Sequence, residues 1–270
     1  MSGALFPPAF YAALAALARR RSRADGGRAA GPRAGRGLLG FEHRDYRPGD
    51  DLRQIDWRAT ARRGRPQSRL REEERGGELR LVLDRSASLT PSGPARDRDQ
   101  RRLALALGWL HLEAGGRLRV SAAGAEAGFA GFERRGQLQA FLAGLVAPQG
   151  ADESDDADGR SALARPGPVV WLTDPWSAQP PARRAGARVA LLVLPEEDEP
   201  PEGGLRLRCA ESGTELEVEL EAGTWARQWE RWLAARTAGL RAAGYEGTVL
   251  RCADPDPVGL LTRAEEAGLV

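Results

Sequence analysis

The chain has 270 residues, with 40 basic side chains against 38 acidic ones and a formal net charge of +2. Hydrophobic residues make up 41% and charged residues 29%, the balance of a globular domain rather than of a disordered or fibrous chain. No apolar run approaches the roughly 18–20 residues that span a bilayer, and near-neutral charge gives no overall electrostatic footprint for nucleic acid.

Pro7 to Arg21 reads as the first helix, with prolines tolerated at its start and Phe10, Leu14 and Leu17 at helical spacing. The apolar Ala4–Leu17 stretch precedes its cluster Arg19, Arg20, Arg21, the reverse of the order in a secretory leader, so a cytoplasmic protein is expected. Arg23 to Arg36 is Gly, Ala and Arg and reads as a linker. Arg28, Arg33 and Arg36 would serve either as a solvated arm or as phosphate contacts. Every basic residue is Arg and none is Lys; a biased genome accounts for this without any appeal to bidentate anion binding.

Phe41 to Glu74 interleaves charges of both signs with aromatics. Pro48-Gly49 marks a tight turn, and Asp50 or Asp51 can cap a short helix carrying Ile55, Trp57 and Ala61. The segment reads either as a polar network tied to the sheet or as a partner-binding surface. Leu79 to Leu83 follows as a buried strand, ending at Asp84-Arg85-Ser86-Ala87-Ser88. Ala95 to Ala114 reads as an amphipathic helix with Leu103, Leu107, Leu110 and Ala114 on one face, ended by Gly115-Gly116. Strands are expected at 118–122 and 124–129. A helix follows over Arg134–Leu145 with Leu138, Phe141, Leu142 and Leu145 inward, then an acidic loop over 150–159.

Val169-Val170-Trp171-Leu172-Thr173-Asp174 is a second buried strand ending in oxygen side chains, and Ala187–Leu194 is a third apolar strand. A hairpin is expected near 205–221, then a helix over 224–243 whose Trp225, Trp229, Trp232 and Leu233 form an inward stripe, a strand at 248–252 and a last helix at 257–267. Cys209 and Cys252 are far apart and lack CxxC spacing, so neither a disulfide framework nor a zinc site is suggested. Alternating strands and helices indicate an α/β fold with a mostly parallel sheet covered on both faces.

In such a sheet, ligands bind beyond the carboxyl ends of the strands where strand order reverses. Asp84, Ser86 and Ser88 after one strand and Thr173 and Asp174 after another are hard oxygen donors suited to Mg2+. The alternative is that they merely cap the following helix. An aspartyl phosphotransferase or hydrolase using Asp84 would want a second acid two positions on and a Lys in reach; the chain has Ser86 there and no Lys. The only histidines are His43 and His111, which leaves a Ser-His-Asp hydrolase no better supported.

Asp84-Arg85-Ser86-Ala87-Ser88 and Leu172-Thr173-Asp174 resemble the metal-ion-dependent adhesion site of von Willebrand factor A-like domains. The stretch from Gly40 to Arg62, with Glu73-Glu74-Arg75, resembles the bacterial family called domain of unknown function 58, and the likeness covers roughly residues 30 to 260. The motif residues that carry it are Arg44, Tyr46, Arg47, Pro48, Gly49, Asp50, Asp51, Arg53, Asp56, Trp57, Arg62, Glu74 and Arg75. The resemblance implies a von Willebrand A-like (Rossmann-type) doubly wound sheet over 79–255. Around it come an N-terminal helix and linker over 1–37, the family motif segment over 38–78, a hairpin insertion and a C-terminal helix over 256–270. It further implies an accessory role to a MoxR-type AAA+ ATPase through an adhesion-type site for Mg2+; with the enzyme readings above unsupported, a non-enzymatic interaction or adaptor module is expected. Where the family has Gly-Gly-Thr-Asp in a middle loop, this chain has Gln149-Gly150-Ala151-Asp152 with no Thr, leaving Asp152 or Ser161 as substitutes. Nucleic-acid binding through the Arg-rich arm is the remaining alternative, and no reader motif supports it.

Overall fold

Leu79 to Leu83 carries apolar side chains at both odd and even positions, which suits a strand covered on both faces. The computed structural model describes residues 4–24, 42–45, 60–61, 64–65, 67–70, 77–91, 93–122, 124–148, 161–177, 180–182, 187–198, 203–208, 213–220 and 224–270. Within them the strands are β1 (Glu42–Asp45), β2 (Gln67–Leu70), β3 (Glu78–Leu83), β4 (Arg117–Ala122), β5 (Ala125–Ala130), β6 (Val169–Thr173), β7 (Ala187–Val193), β8 (Gly203–Arg208), β9 (Glu215–Leu220) and β10 (Tyr245–Arg251). The longer helices are α1 (Pro8–Ala24), α2 (Ala95–Glu113), α3 (Arg135–Ala143), α4 (Thr224–Ala242) and α5 (Pro257–Glu266).

Six strands form the central sheet in the order β10-β7-β6-β3-β4-β5. All neighbours are parallel except β5, which returns antiparallel to β4 at one edge. This is the mostly parallel α/β sheet expected. Two antiparallel pairs lie outside it: the hairpin β8–β9, and β1–β2, in which Glu42 faces Leu70 and Asp45 faces Gln67. The β1–β2 pair is not legible in the sequence, because neither strand shows apolar alternation.

Period-two alternation divides the sheet between two cores. Leu81, Leu83, Val170 and Leu172 point to one face, where they meet Phe10, Leu14 and Leu17 of α1, Leu103 and Leu105 of α2, Leu138 and Leu142 of α3, and Leu260 and Leu261 of α5. Val82, Val169, Trp171, Val189 and Leu191 point to the other, against Leu163, Leu240 and Tyr245. The terminal helices α1 and α5 thus share the core of the sheet they flank. Arg80 interrupts the apolar run of β3, yet its guanidinium donates to the carbonyls of Arg165 (2.9 Å) and Pro166, so its burial leaves no bare charge.

Helix α2 departs from the amphipathic reading. Leu103, Leu107 and Leu110 are buried as expected, but so are Ala104, Leu105, Ala106 and Leu112, while Ala114 is exposed. The helix lies across the sheet and is itself roofed by α1, α3 and α5. It ends where Gly115 takes φ +84°; the Gly115 N–H bonds Leu112 O (3.0 Å) and the Gly116 N–H bonds His111 O (3.0 Å), a paired C-terminal cap that a Cβ would strain.

Candidate functional site

The chain runs from β3 to β4 on one side and reaches β6 only later, on the other side, so strand order reverses between β3 and β6. The carboxyl ends of these two neighbours carry Asp84 and Asp174. Asp84 N–H bonds Leu172 O (3.0 Å), tying the two strand ends together at the crevice.

Beyond the strands the oxygen side chains form one hydrogen-bonded cluster. Asp84 Oδ1 accepts from the Ser86 N–H (2.9 Å), and Asp84 Oδ2 accepts from the Thr173 hydroxyl. The Ser86 and Ser88 hydroxyls share a hydrogen bond of 2.8 Å, and Ser88 donates in turn to Asp174 Oδ2. Asp174 Oδ1 accepts from the N–H groups of Trp176 (2.7 Å) and Ser177 (2.9 Å). All five oxygen-bearing residues expected from sequence, Asp84, Ser86, Ser88, Thr173 and Asp174, are therefore in one network. Ser86 and Ser88 lie in and before a single 3-10 turn (Ala87–Leu89) and make no capping bond to it, so the capping alternative does not describe them.

Asp174 is wholly buried, and its carboxyl is raised to about 6, first by loss of hydration and then by the neighbouring Asp84 charge. The nearest opposing cation is Arg96, from the first turn of α2, with a fully buried side chain; Arg236, bonded to Ser177 O (2.6 Å), also feels the Asp174 charge. Arg96 Nη1 donates to Ser88 O (2.6 Å) and lies 3.7 Å from Asp174 Oδ2. Its Nη2 is 2.5 Å from Glu197 Oε1, in the single helical turn Pro195–Asp198 that follows β7. Glu197 also receives the Trp176 indole N–H (2.8 Å) and the Leu194 N–H (2.8 Å). Gln100, one turn beyond Arg96, donates through one amide to both Asp84 O and Leu172 O (2.9 Å each), clamping the two strand ends.

The buried polar network continues along α2. Arg85 and Arg101 both pair with Asp97, and Arg101 donates to the carbonyls of Leu142 (3.1 Å) and Leu145 (3.0 Å) at the end of α3. Asp99 accepts from Arg102 (2.9 Å) and from the N–H groups of Ala253 (2.6 Å) and Asp254 (3.1 Å). Burial lowers the Arg85 guanidinium against the attraction of Asp97, and burial raises the Asp99 carboxyl.

Beside the oxygen cluster lies a run of indoles. Trp225, Trp229 and Trp232 stack along α4 with interplanar angles of 14° and 8°, and Trp176 leans on Trp232 at 4.6 Å between centroids. The sequence reading put the α4 stripe inward. Trp229 and Leu233 are indeed buried, but Trp232 and Trp176 are 36% and 50% exposed. The turn after Asp174 thus sets a half-exposed indole next to the site and against the outer tryptophan of α4.

Sequence reasoning missed Arg96, Gln100 and Glu197. The signal was present in Arg96-Asp97-Arg98-Asp99-Gln100-Arg101-Arg102, a dense charged run opening a helix whose later half is apolar on all sides. Of the family motif residues, Arg44 sits on β1 opposite Ser68. Tyr46, Arg47, Pro48, Gly49, Asp50, Asp51, Arg53, Asp56, Trp57, Arg62, Glu74 and Arg75 lie outside the described residues. So do Gln149, Gly150, Ala151 and Asp152; Ser161 is described and exposed. Among the described residues, no group of three or more His, Cys, Asp or Glu side chains gathers as a metal cluster, and the site holds two carboxylates. No described helix is long and apolar enough to cross a membrane.

Among known proteins the chain is similar to Uncharacterized protein Rv1480 of Mycobacterium tuberculosis and Uncharacterized protein Mb1516 of Mycobacterium bovis. Each is 29% identical over 233 residues, covering 79% of this chain and 72% of the relative. Residues 42–238 match the family model described as Protein of unknown function DUF58, which spans β1 through most of α4 and includes both strand ends of the oxygen cluster. The chain belongs to that family.

Proposed function

We propose that the protein is a non-enzymatic interaction module of von Willebrand A-like type, acting in the cytoplasm as an adaptor for a MoxR-type AAA+ ATPase through an adhesion-type site. The observation that carries this reading is the convergence of Asp84, Ser86, Ser88, Thr173 and Asp174 at the switch point of the sheet. The donors are all oxygen and mostly uncharged, which fits Mg2+ rather than a softer metal. Ser86, Ser88 and Asp174 would hold the ion, and Asp84 and Thr173 would brace that set from behind. A bound Mg2+ would supply an open coordination position for a carboxylate of the partner.

The chain's own residues favour docking over turnover. Both Asp84 oxygens already accept protein hydrogen bonds, the chain has no Lys, and burial holds the Cys252 thiol far above its ordinary range, so none is poised as a nucleophile. The half-exposed Trp176 and Trp232 offer rigid apolar contact area beside the polar centre, the composition of an interface core with a specific polar anchor.

The test is a pull-down of a MoxR-type ATPase encoded beside the gene, with Mg2+ and with chelator, using wild type and Asp84→Ala. Retention that needs both Mg2+ and Asp84 is expected. Absence of retention by intact wild type in either condition sinks the reading.

A further inference from the structure

We infer that Arg96 is the built-in counter-charge of the oxygen cluster, and that it weakens capture of a divalent cation there. This inference rests on the adhesion-site reading and deepens it.

Two carboxylates and three hydroxyls at a strand switch point would ordinarily need a cation from solution to offset Asp84 and Asp174. Here the chain supplies its own: Arg96 lies nearest, and Arg236 and Arg85 also act on Asp174 and Asp84. Arg96 is 0% exposed, so its charge is not screened by bulk water. It is fixed by its bond to Ser88 O (2.6 Å), inside the Asp-x-Ser-x-Ser turn itself, and it stands 3.7 Å from Asp174 Oδ2. A dication held by Ser88 and Asp174 would sit next to that guanidinium and be repelled by it. The repulsion is moderated from behind, because Nη2 is paired with Glu197 at 2.5 Å. The Arg96 Nε makes no hydrogen bond among the described residues. Arg96 therefore retains donor capacity, lying between an acid of the site and an acid behind it.

Electrostatics then assigns opposite effects to two single substitutions. Arg96→Met removes a positive charge of similar bulk and should tighten cation binding about tenfold or more. Glu197→Gln removes the charge that offsets Arg96 and should weaken binding severalfold, although the Trp176 contact to the amide oxygen is kept. Arg96→Lys keeps the charge and should bind like wild type. A merely structural Arg96 predicts the reverse for Arg96→Met, because a disordered turn binds worse.

The experiment counts free Mn2+ by electron paramagnetic resonance against the full chain and its variants, with folding checked by near-ultraviolet circular dichroism. Tighter binding by Arg96→Met and weaker binding by Glu197→Gln support the inference. Equal or weaker binding by folded Arg96→Met, with wild type binding, overturns it and leaves the adhesion-site reading standing. If Arg96→Met does not fold, Glu197→Gln and Arg96→Lys decide, and unchanged affinity in Glu197→Gln overturns the inference. Binding by Arg96→Met alone supports it and removes the resident ion from the wild-type reading. No binding by any folded protein at millimolar Mn2+ overturns both.

Discussion

At the residue scale, the buried Asp99 of α2 makes stability respond to pH. Asp99 is wholly buried, and loss of hydration raises its carboxyl despite the Arg102 and backbone donors that pull it down. A raised folded-state pKa means the folded chain holds its proton more tightly than the unfolded chain does. Stability from this group is full below the ordinary carboxylate value of about 3.9 and is lost as pH rises through the raised value. Wild type should therefore lose stability relative to Asp99→Asn as pH is raised from about 4. Urea midpoints of the two proteins at stepped pH measure the difference. A difference that stays flat would mean that Arg102 and the N–H groups of Ala253 and Asp254 outweigh burial. The candidate site was legible at this scale where chemistry is local: Asp-x-Ser-x-Ser and Thr-Asp each sit at the end of an apolar run. Arg96 and Glu197 were not, because nothing in a helix's first turn or in Pro195-Glu196-Glu197-Asp198 says which acid a charge will meet.

At the element scale, α2 is an axle for its neighbours rather than a surface helix. Arg101 serves two elements at once, pairing with Asp97 in its own helix and bonding the Leu142 and Ala143 carbonyls that end α3, with the Leu145 carbonyl just beyond. Those carbonyls have no partner within α3 and need donors from elsewhere. Arg101→Met keeps much of the bulk but removes the donors, while Arg85 still satisfies Asp97. We expect a cost of about 1–3 kcal/mol in urea denaturation, with faster amide exchange over Gly144 and Leu145 than over the body of α2. Helix and strand positions were readable because apolar periodicity decides them. The inward face of α2 was legible, but its burial on the other side was not, because its charges answer to partners distant in sequence.

At the scale of the whole molecule, α1 and α5 close the side of the sheet that carries the larger core. Arg20 and Glu265 join them at the surface (2.6 Å), while Phe10, Leu14 and Leu17 enter the same cluster as Leu260, Leu261 and Leu269. Leu14→Ala should cost about 2–5 kcal/mol. Because the core is shared, it should shift one cooperative transition rather than melt α1 alone. Coincident loss of helical circular dichroism and of indole fluorescence would show this; an early, separate loss of helicity would show α1 to be an appendage. The sheet's class was legible from strand–helix alternation. The pairing of β1 with β2 was not, since short polar strands leave no periodic mark.

The strand order has a consequence in time. Ser88 and its partner Asp174 are 86 residues apart, and Asp84 and Thr173 are 89 apart, so the cluster cannot close until β6 has been made and docked beside β3. During synthesis the first half of the centre emerges long before the second. Contacts of such long sequence separation form late and slowly. A partner that gripped the completed cluster would thus bind only chains whose sheet has been assembled through its middle, and such binding would double as proof of maturation.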